Sequence, residues 1–176
     1  MNGAAFISGL REKNIAGLGR QVDVSVNTSD KNTKYNFGIV EPYVFNRKID
    51  FIYGISYQES DFTKSASYDL TTFNTNTGFQ YVLSQDLSHA ITIEYSLKDY
   101  VVTDSSTVDD NISKRAGNNA EFLLNNSISL NKLDSFMRPT QGTYISFRNL
   151  ISPSTNSDNG YIKNIITYKK YYKFSS

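Results

Sequence analysis

The side chains that could perform acid–base or metal chemistry are few and scattered. His89 is the only histidine. It lies beside a polar turn with no second ligand nearby, which favours a surface or lumen position over a catalytic or metal-binding role. Asp109 and Asp110 form an acidic pair in a polar stretch, where a solvated pair is favoured over a weak cation site. Cysteine is absent, and no Ser–His–Asp constellation is present. We assign no catalytic, metal-binding or cofactor-binding residue and expect that the protein is not an enzyme.

Two short motifs resemble phosphate-binding or nucleic-acid-binding patterns. Gly17 and Gly19 form GLGR, a fragment of a phosphate loop, but no βαβ pattern follows, so a turn is favoured. Lys169, Lys170 and Lys173 alternate with aromatic residues, as in surfaces that bind single strands. The formal net charge is only +1, so a strand terminus at a membrane interface explains this segment better. We expect no nucleic-acid partner.

Composition favours strands over helices. The 176 residues suit one domain. The chain has 13 Tyr and 11 Phe and is rich in Ser, Thr and Asn, which favours β-structure. No run approaches the roughly 18 to 20 apolar residues of a spanning helix. A helical membrane protein is therefore excluded, but a membrane β-barrel is not, because its lumen-facing residues dilute every hydropathy window. The first residues show no signal-peptide pattern.

A period of two dominates the chain. In QVDVSVN, three valines share one face and polar residues share the other, as expected for a strand whose successive side chains point to opposite faces. No segment shows a helical stripe. The polar stretch 102–119 is expected to form an exposed loop. We predict an all-β, antiparallel meander of about nine strands, near residues 4–12, 21–27, 35–43, 48–59, 73–83, 91–98, 120–130, 143–151 and 161–174.

Two architectures fit this alternation. A soluble antiparallel sandwich buries the apolar faces between two sheets, whereas an outer-membrane barrel turns them to lipid. Long strands favour the barrel, because sandwich strands usually have about five or six residues. A barrel in lipid must close, so about nine strands predict an incomplete transmembrane barrel. Tyrosines at strand ends would form its interfacial girdles, and these are Tyr43, Tyr57, Tyr81, Tyr100 and Tyr144.

Three turns carry a family resemblance. REKNIAGLGR and EPYVF resemble a strand ending in K/D-N-aromatic-x-G-x-G and the next ending in E/N-P-Y-F, with Ile15 in the aromatic place. LDSFMRPTQG resembles a hairpin D-x-R-D-x-x-x-x-P-T-x-G, with Ser135 and Phe136 where a charged pair is common. Together these segments resemble the BamA-type outer-membrane β-barrel assembly factors. The matching turn residues are Asn14, Gly17, Gly19, Glu41, Pro42, Tyr43, Asp134, Pro139, Thr140 and Gly142.

The resemblance implies both a fold and a function. Residues 1–176 would form a single partial barrel domain, about strands 2–10 of 16, without POTRA domains. The family folds β-barrel proteins and inserts them into the bacterial outer membrane by strand-edge pairing. The implied partners are outer-membrane lipids, substrate β-barrel proteins and accessory assembly lipoproteins. A TamA-like translocation barrel, a porin-like channel and a soluble β-sandwich binding module stay open as alternatives.

Overall fold

The computed structural model describes residues 4–135, 137–153 and 160–173. Nine strands form one antiparallel sheet in the order β1 to β9, so each strand pairs only with its neighbours in the chain. The predicted all-β meander is confirmed. The strands are β1 Ala5–Ile15, β2 Arg20–Ser29, β3 Asn32–Glu41, β4 Ile49–Asp61, β5 Tyr68–Val82, β6 Leu87–Val102, β7 Gly117–Leu133, β8 Gly142–Ser152 and β9 Tyr161–Tyr171.

The strand register sorts the side chains into two faces. Apolar residues of neighbouring strands lie opposite one another, as predicted from the period of two. We call this side the apolar face and the other side the polar face. One row across the apolar face is Val24, Phe37, Ile55, Thr75, Tyr95 and Phe122. The neighbouring row across the polar face is Ser25, Asn36, Ser56, Asn74, Ser96 and Glu121.

Burial is inverted relative to a water-soluble core. On the apolar face, Ile93 and Phe122 are 54% and 49% exposed. The most buried side chains of the described residues lie on the polar face instead, namely Ser60, Ser96, Tyr100, Asn119 and Ser152. Crowding on one side indicates that the sheet curves toward the polar face. No second sheet covers the apolar face within the described ranges, so the sandwich alternative is wrong.

Glycines make room for this curvature. Gly54 and Gly78 both lie on the polar face. A Cβ atom at Gly54 would lie 2.2 Å from Oδ1 of Asn76, and one at Gly78 would lie 2.2 Å from the carbonyl oxygen of Ile91. Glycine inside a strand commonly marks such a close approach or a bend. The strands therefore approach closely on the concave side because these positions carry no side chain.

Among the described residues, helical structure is limited to single turns between strands. They are a 3₁₀ turn at Val44–Asn46, α1 at Thr63–Ala66 and α2 at Asp110–Ser113. Within the described part of the chain, no helix is long and apolar enough to cross a membrane. The loop predicted at 102–119 spans only 103–116, because strand pairing extends further than the apolar pattern.

The predicted tyrosine girdle is wrong for two of its five members. Tyr100 and Tyr144 lie on the polar face, and Tyr100 is buried there. Position near a strand end does not determine the face, which depends on the register of the strand. Tyr57 and Tyr81 do lie on the apolar face. The last strand was predicted to reach residue 174, which lies outside the described residues, and β9 ends at Tyr171.

Candidate functional site at one rim of the sheet

The connections of an antiparallel meander fall alternately on two rims. One rim carries the turns 16–19, 42–48, 83–86 and 134–141, and we call it the turn rim. The opposite rim carries the connections 30–31, 62–67 and 103–116, and we call it the loop rim. All ten motif residues named from the sequence lie in turns of the turn rim or in the strand ends next to them. The connection between β8 and β9 lies mostly outside the described residues.

The first motif turn is organised by Asn14. Its Oδ1 accepts a hydrogen bond from the backbone N–H of Gly19 at 2.7 Å, and its carbonyl oxygen accepts one from the N–H of Gly17 at 3.2 Å. Both glycines have positive φ, +73° and +70°, which glycine adopts without steric cost. GLGR is therefore a structural turn, because the amide groups of Gly17 and Gly19 form hydrogen bonds within it.

The second motif turn packs against the first. Glu41, at the end of β3, forms an ion pair with Arg20 at the start of β2. A Cβ atom at Gly19 would lie 3.4 Å from Cγ of Pro42, so the two turns touch. Tyr43 follows with a left-handed backbone, φ +56°. The structure thus joins two motifs that are separated by more than twenty residues in the sequence.

The third motif turn is held by one carboxylate. Asp134 accepts hydrogen bonds from the hydroxyl and the backbone N–H of Thr140, the latter at 2.9 Å, and from the N–H of Gln141 at 3.1 Å. These donors favour the ionised form. The Thr140 hydroxyl contributes most, followed by the two amides, and together they lower the pKa of Asp134 to about 2. Pro139 precedes this network, and Gly142 begins β8 with φ +117°.

Acid should open this turn. The pKa of Asp134 is lower in the folded chain than its ordinary value of 3.8. The stabilisation that ionised Asp134 gives the folded turn is therefore complete above that ordinary value and is lost as pH falls toward about 2. We expect the amide resonances of Thr140 and Gln141 to titrate with this pKa. Thr140→Val should raise the pKa, and Asp134→Asn should abolish the titration. A normal pKa in the wild-type chain would contradict the bonding described.

The remaining sequence candidates lie apart from this rim or are divided by the sheet. Asp109 caps α2 on the loop rim, where its Oδ1 accepts from the N–H of Asn111 at 2.8 Å. Lys169 lies on the polar face over the ring of Tyr144, whereas Lys170 lies on the apolar face. Alternation therefore divides these lysines between two faces, which agrees with the strand terminus favoured over a nucleic-acid surface. The described residues include no group of three or more His, Cys, Asp or Glu arranged to hold a metal.

Comparison with known proteins places the chain in a family. The sequence model of the Omp85 superfamily domain matches residues 14–176. The chain belongs to the Omp85 superfamily. The crystal structure of BamA from Haemophilus ducreyi lacking POTRA domains 1–3 is similar in fold, with a TM-score of 0.68 and 17% sequence identity. The match covers 92% of this Omp85 chain and 34% of the BamA chain, so the present chain spans about a third of that structure. No curated protein sequence matches.

Polar residues also lie on the apolar face of the Omp85 sheet. His89 is one of them, so the surface or lumen position favoured from the sequence is wrong in placing it on the lumen side. His89 stacks on Tyr81, and its Nε2 lies 2.7 Å from Oδ1 of Asn126. Asn149 donates to Oδ1 of Asn164 at 2.6 Å. Asn126, Asn149 and Asn164 occupy one row across β7, β8 and β9. The available signal was an asparagine in an apolar position of each strand.

A second missed cluster crosses the polar face of the Omp85 sheet. Glu121 accepts from Nζ of Lys98 at 3.1 Å and from the hydroxyl of Tyr161 at 3.2 Å. These residues lie on β7, β6 and β9, so the cluster ties non-adjacent strands together. Nothing in the sequence spacing identifies it, because the pairing depends on register. The charges are paired on the concave polar face, and the apolar groups are exposed on the apolar face. This distribution is typical of the wall of a membrane barrel.

Proposed function

We propose that the chain forms part of an outer-membrane barrel that helps other β-barrel proteins to fold and insert, without chemical catalysis. The apolar face would contact outer-membrane lipid, and the polar face would line the lumen. The implied partners are unfolded barrel proteins and accessory assembly lipoproteins. Membership of the Omp85 superfamily and the similarity to BamA support the proposal.

The observation that carries the proposal is the inverted sheet, whose apolar face is exposed and whose β1 has one side without a partner among the described strands. Ten of the eleven residues of β1 are exposed, and β1 pairs only with β2 among the described strands. Phe6 and Leu10 project from its apolar side at 62% and 72% exposure. An unpaired edge offers N–H and C=O groups to an incoming strand.

The proposed mechanism follows from the cost of unpaired backbone in lipid. A substrate strand that enters a membrane alone leaves backbone groups unsatisfied, at several kcal/mol each. Pairing with an existing edge satisfies half of them at once, and the new strand then offers its own edge to the next. The assembling barrel could therefore grow hairpin by hairpin. Only hydrogen bonds form and no covalent bond is made or broken, so the proposed process relies on an accessible strand edge and not on a catalytic group.

A folding assay tests this proposal. The full chain is refolded into lipid vesicles, and a small urea-unfolded outer-membrane barrel is added. We expect folding of the substrate, followed by its shifted gel mobility without heating, to be severalfold faster than with empty vesicles. Vesicles that carry an unrelated closed barrel are the control. Equal rates in all three preparations would contradict an assembly function, and ion conductance without acceleration would support a passive channel.

Two proline variants test whether substrate strands pair with the free side of β1. N–H groups of neighbouring residues on a strand point to opposite sides. One of Ile7→Pro and Ser8→Pro therefore removes a donor from the open edge of β1, and the other breaks a bond to β2. We expect one variant to keep its β-structure and lose the acceleration. Full acceleration by both folded variants would exclude the β1 edge.

A further inference from the structure

We propose that the turn rim docks onto the anionic phospholipid headgroups of one membrane leaflet. The inference rests on the proposed membrane placement and adds an orientation and a ligand class to it. Exposed apolar side chains at the tips of its turns would enter the interfacial region, and basic side chains beside them would bind headgroup phosphates. The apolar tips are Leu18, Tyr43, Phe45, Leu83 and Met137.

The apolar tips distinguish the turn rim from the loop rim. Phe45 is 78% exposed and Met137 is 89% exposed. On the loop rim the large aromatic residue is Phe62, whose ring packs 5.1 Å from that of Tyr68. The described loops of that rim carry mainly hydroxyl, amide and charged residues, and their Val108 and Ile112 are only partly exposed. Among the described residues, the most exposed large apolar groups of the connections lie on the turn rim, which indicates a surface made to be covered.

The backbone of the second turn directs its aromatic residues outward. Tyr43, Phe45 and Asn46 all have positive φ, between +56° and +59°. Such conformations are unfavourable for residues other than glycine and persist where surrounding structure enforces them. Here the ion pair of Arg20 with Glu41 anchors the start of the turn. A turn that holds two aromatic side chains away from its own sheet suits insertion into an apolar layer.

The charge of the turn rim complements an anionic surface. Arg47, Lys48 and Arg138 lie in its turns and form no ion pair with other described residues. The two acidic side chains in these turns are Asp86 and Asp134, so the three basic groups leave a net charge of +1. The loop rim is balanced instead, with Asp30, Asp104, Asp109 and Asp110 against Lys31, Lys64, Lys114 and Arg115.

Continuity with the apolar face identifies the occupant as lipid. The apolar tips extend the exposed apolar face beyond the strand ends, so a membrane that covers the face reaches the tips. Aromatic and basic side chains together are typical of the membrane–water boundary, where each basic group near an anionic leaflet strengthens binding about fivefold.

Single tryptophans can test the docking directly, because the chain has no tryptophan. Three variants of the full chain are refolded into phosphatidylcholine vesicles, namely Phe45→Trp on the turn rim, Ser105→Trp on the loop rim and Phe122→Trp on the apolar face. A fraction of the lipid is replaced by brominated phosphatidylglycerol or brominated phosphatidylcholine. We expect Phe45→Trp to be quenched more by the anionic lipid, with a relative association constant about fivefold above unity or higher.

Three comparisons complete the test. Arg47→Gln with Arg138→Gln should bring the preference of Phe45→Trp toward unity. The matched pair Lys31→Gln with Lys64→Gln on the loop rim should leave it unchanged. Inorganic phosphate should not compete with the headgroups. The preference of Phe45→Trp for the anionic lipid should therefore be the same in phosphate buffer as in a chloride solution of equal ionic strength. Loss of the preference to free phosphate, or an equal effect of the two double variants, would overturn a headgroup site.

The other two tryptophans separate the two ways of failing. If Phe122→Trp is quenched equally by both lipids and Ser105→Trp by neither, the membrane placement and the orientation hold. Equal quenching of Phe45→Trp by the two lipids would then overturn the headgroup site alone. An unquenched Phe122→Trp would overturn the membrane placement and this inference with it.

Discussion

Replacing Gly142 with alanine should destabilise the folded chain by about 3 to 5 kcal/mol, because two penalties combine. Its φ of +117° lies where residues with a side chain rarely occur. A Cβ atom would also lie 2.1 Å from the carbonyl oxygen of Lys132 and 2.9 Å from Cα of Leu133. These are backbone atoms of β7, so the hairpin must open to relieve the overlap. Urea unfolding in lipid vesicles, followed by circular dichroism, measures the loss.

Gly117→Ala is the matched control for that substitution. Gly117 also has positive φ, +87°, but a Cβ atom there would meet nothing within 4 Å. Its cost should therefore be that of the backbone conformation alone, about 1 to 2 kcal/mol. Should the two variants unfold at the same urea concentration, the close contact between β7 and β8 would be refuted.

Placing arginine on the apolar face should have the second largest effect. Phe37 lies in the middle of the face, between Val24 and Ile55. If lipid covers this face, Phe37→Arg brings a charge into hydrocarbon and should cost about 2 to 4 kcal/mol. The free energy of unfolding from lipid vesicles is the measurement, and the yield of refolded chain is a second readout.

The neighbouring position provides the control. Asn36 lies on the polar face, where its Nδ2 donates to Oγ of Ser25 at 3.1 Å. Asn36→Arg adds the same charge, loses one hydrogen bond and should cost about 1 kcal/mol. A larger cost for Asn36→Arg than for Phe37→Arg would reverse the assignment of lumen and lipid faces.

The strands could be predicted because their signal is local. Alternation in QVDVSVN reports a period of two whatever the partner strand, and the same pattern elsewhere yields the nine strands observed. The motif turns could be located for a similar reason, since Gly17, Gly19 and Gly142 meet conformational requirements of their own turns. A turn that needs a positive φ is marked in the sequence by the glycine that adopts it.

The rest depends on register and curvature, which no single segment contains. Tyr100 and Tyr144 were expected in a girdle, but pairing places both on the polar face. The contact of the first two turns, through Gly19 and Pro42, needs β2 and β3 to be aligned first. The bond from Tyr161 to Glu121 spans 40 residues. Such features arise only when the whole sheet is assembled.

The nearest-neighbour order of the strands makes the size of this architecture adjustable. Each described strand pairs only with the strands before and after it in the chain, so no backbone pairing among the described strands joins distant parts of the sequence. A hairpin could be duplicated or lost in evolution, and every other pair would keep its partner and register. The circumference of the barrel is then set by how many hairpins the gene encodes. The alternation within each hairpin determines which face of the wall is apolar and which is polar.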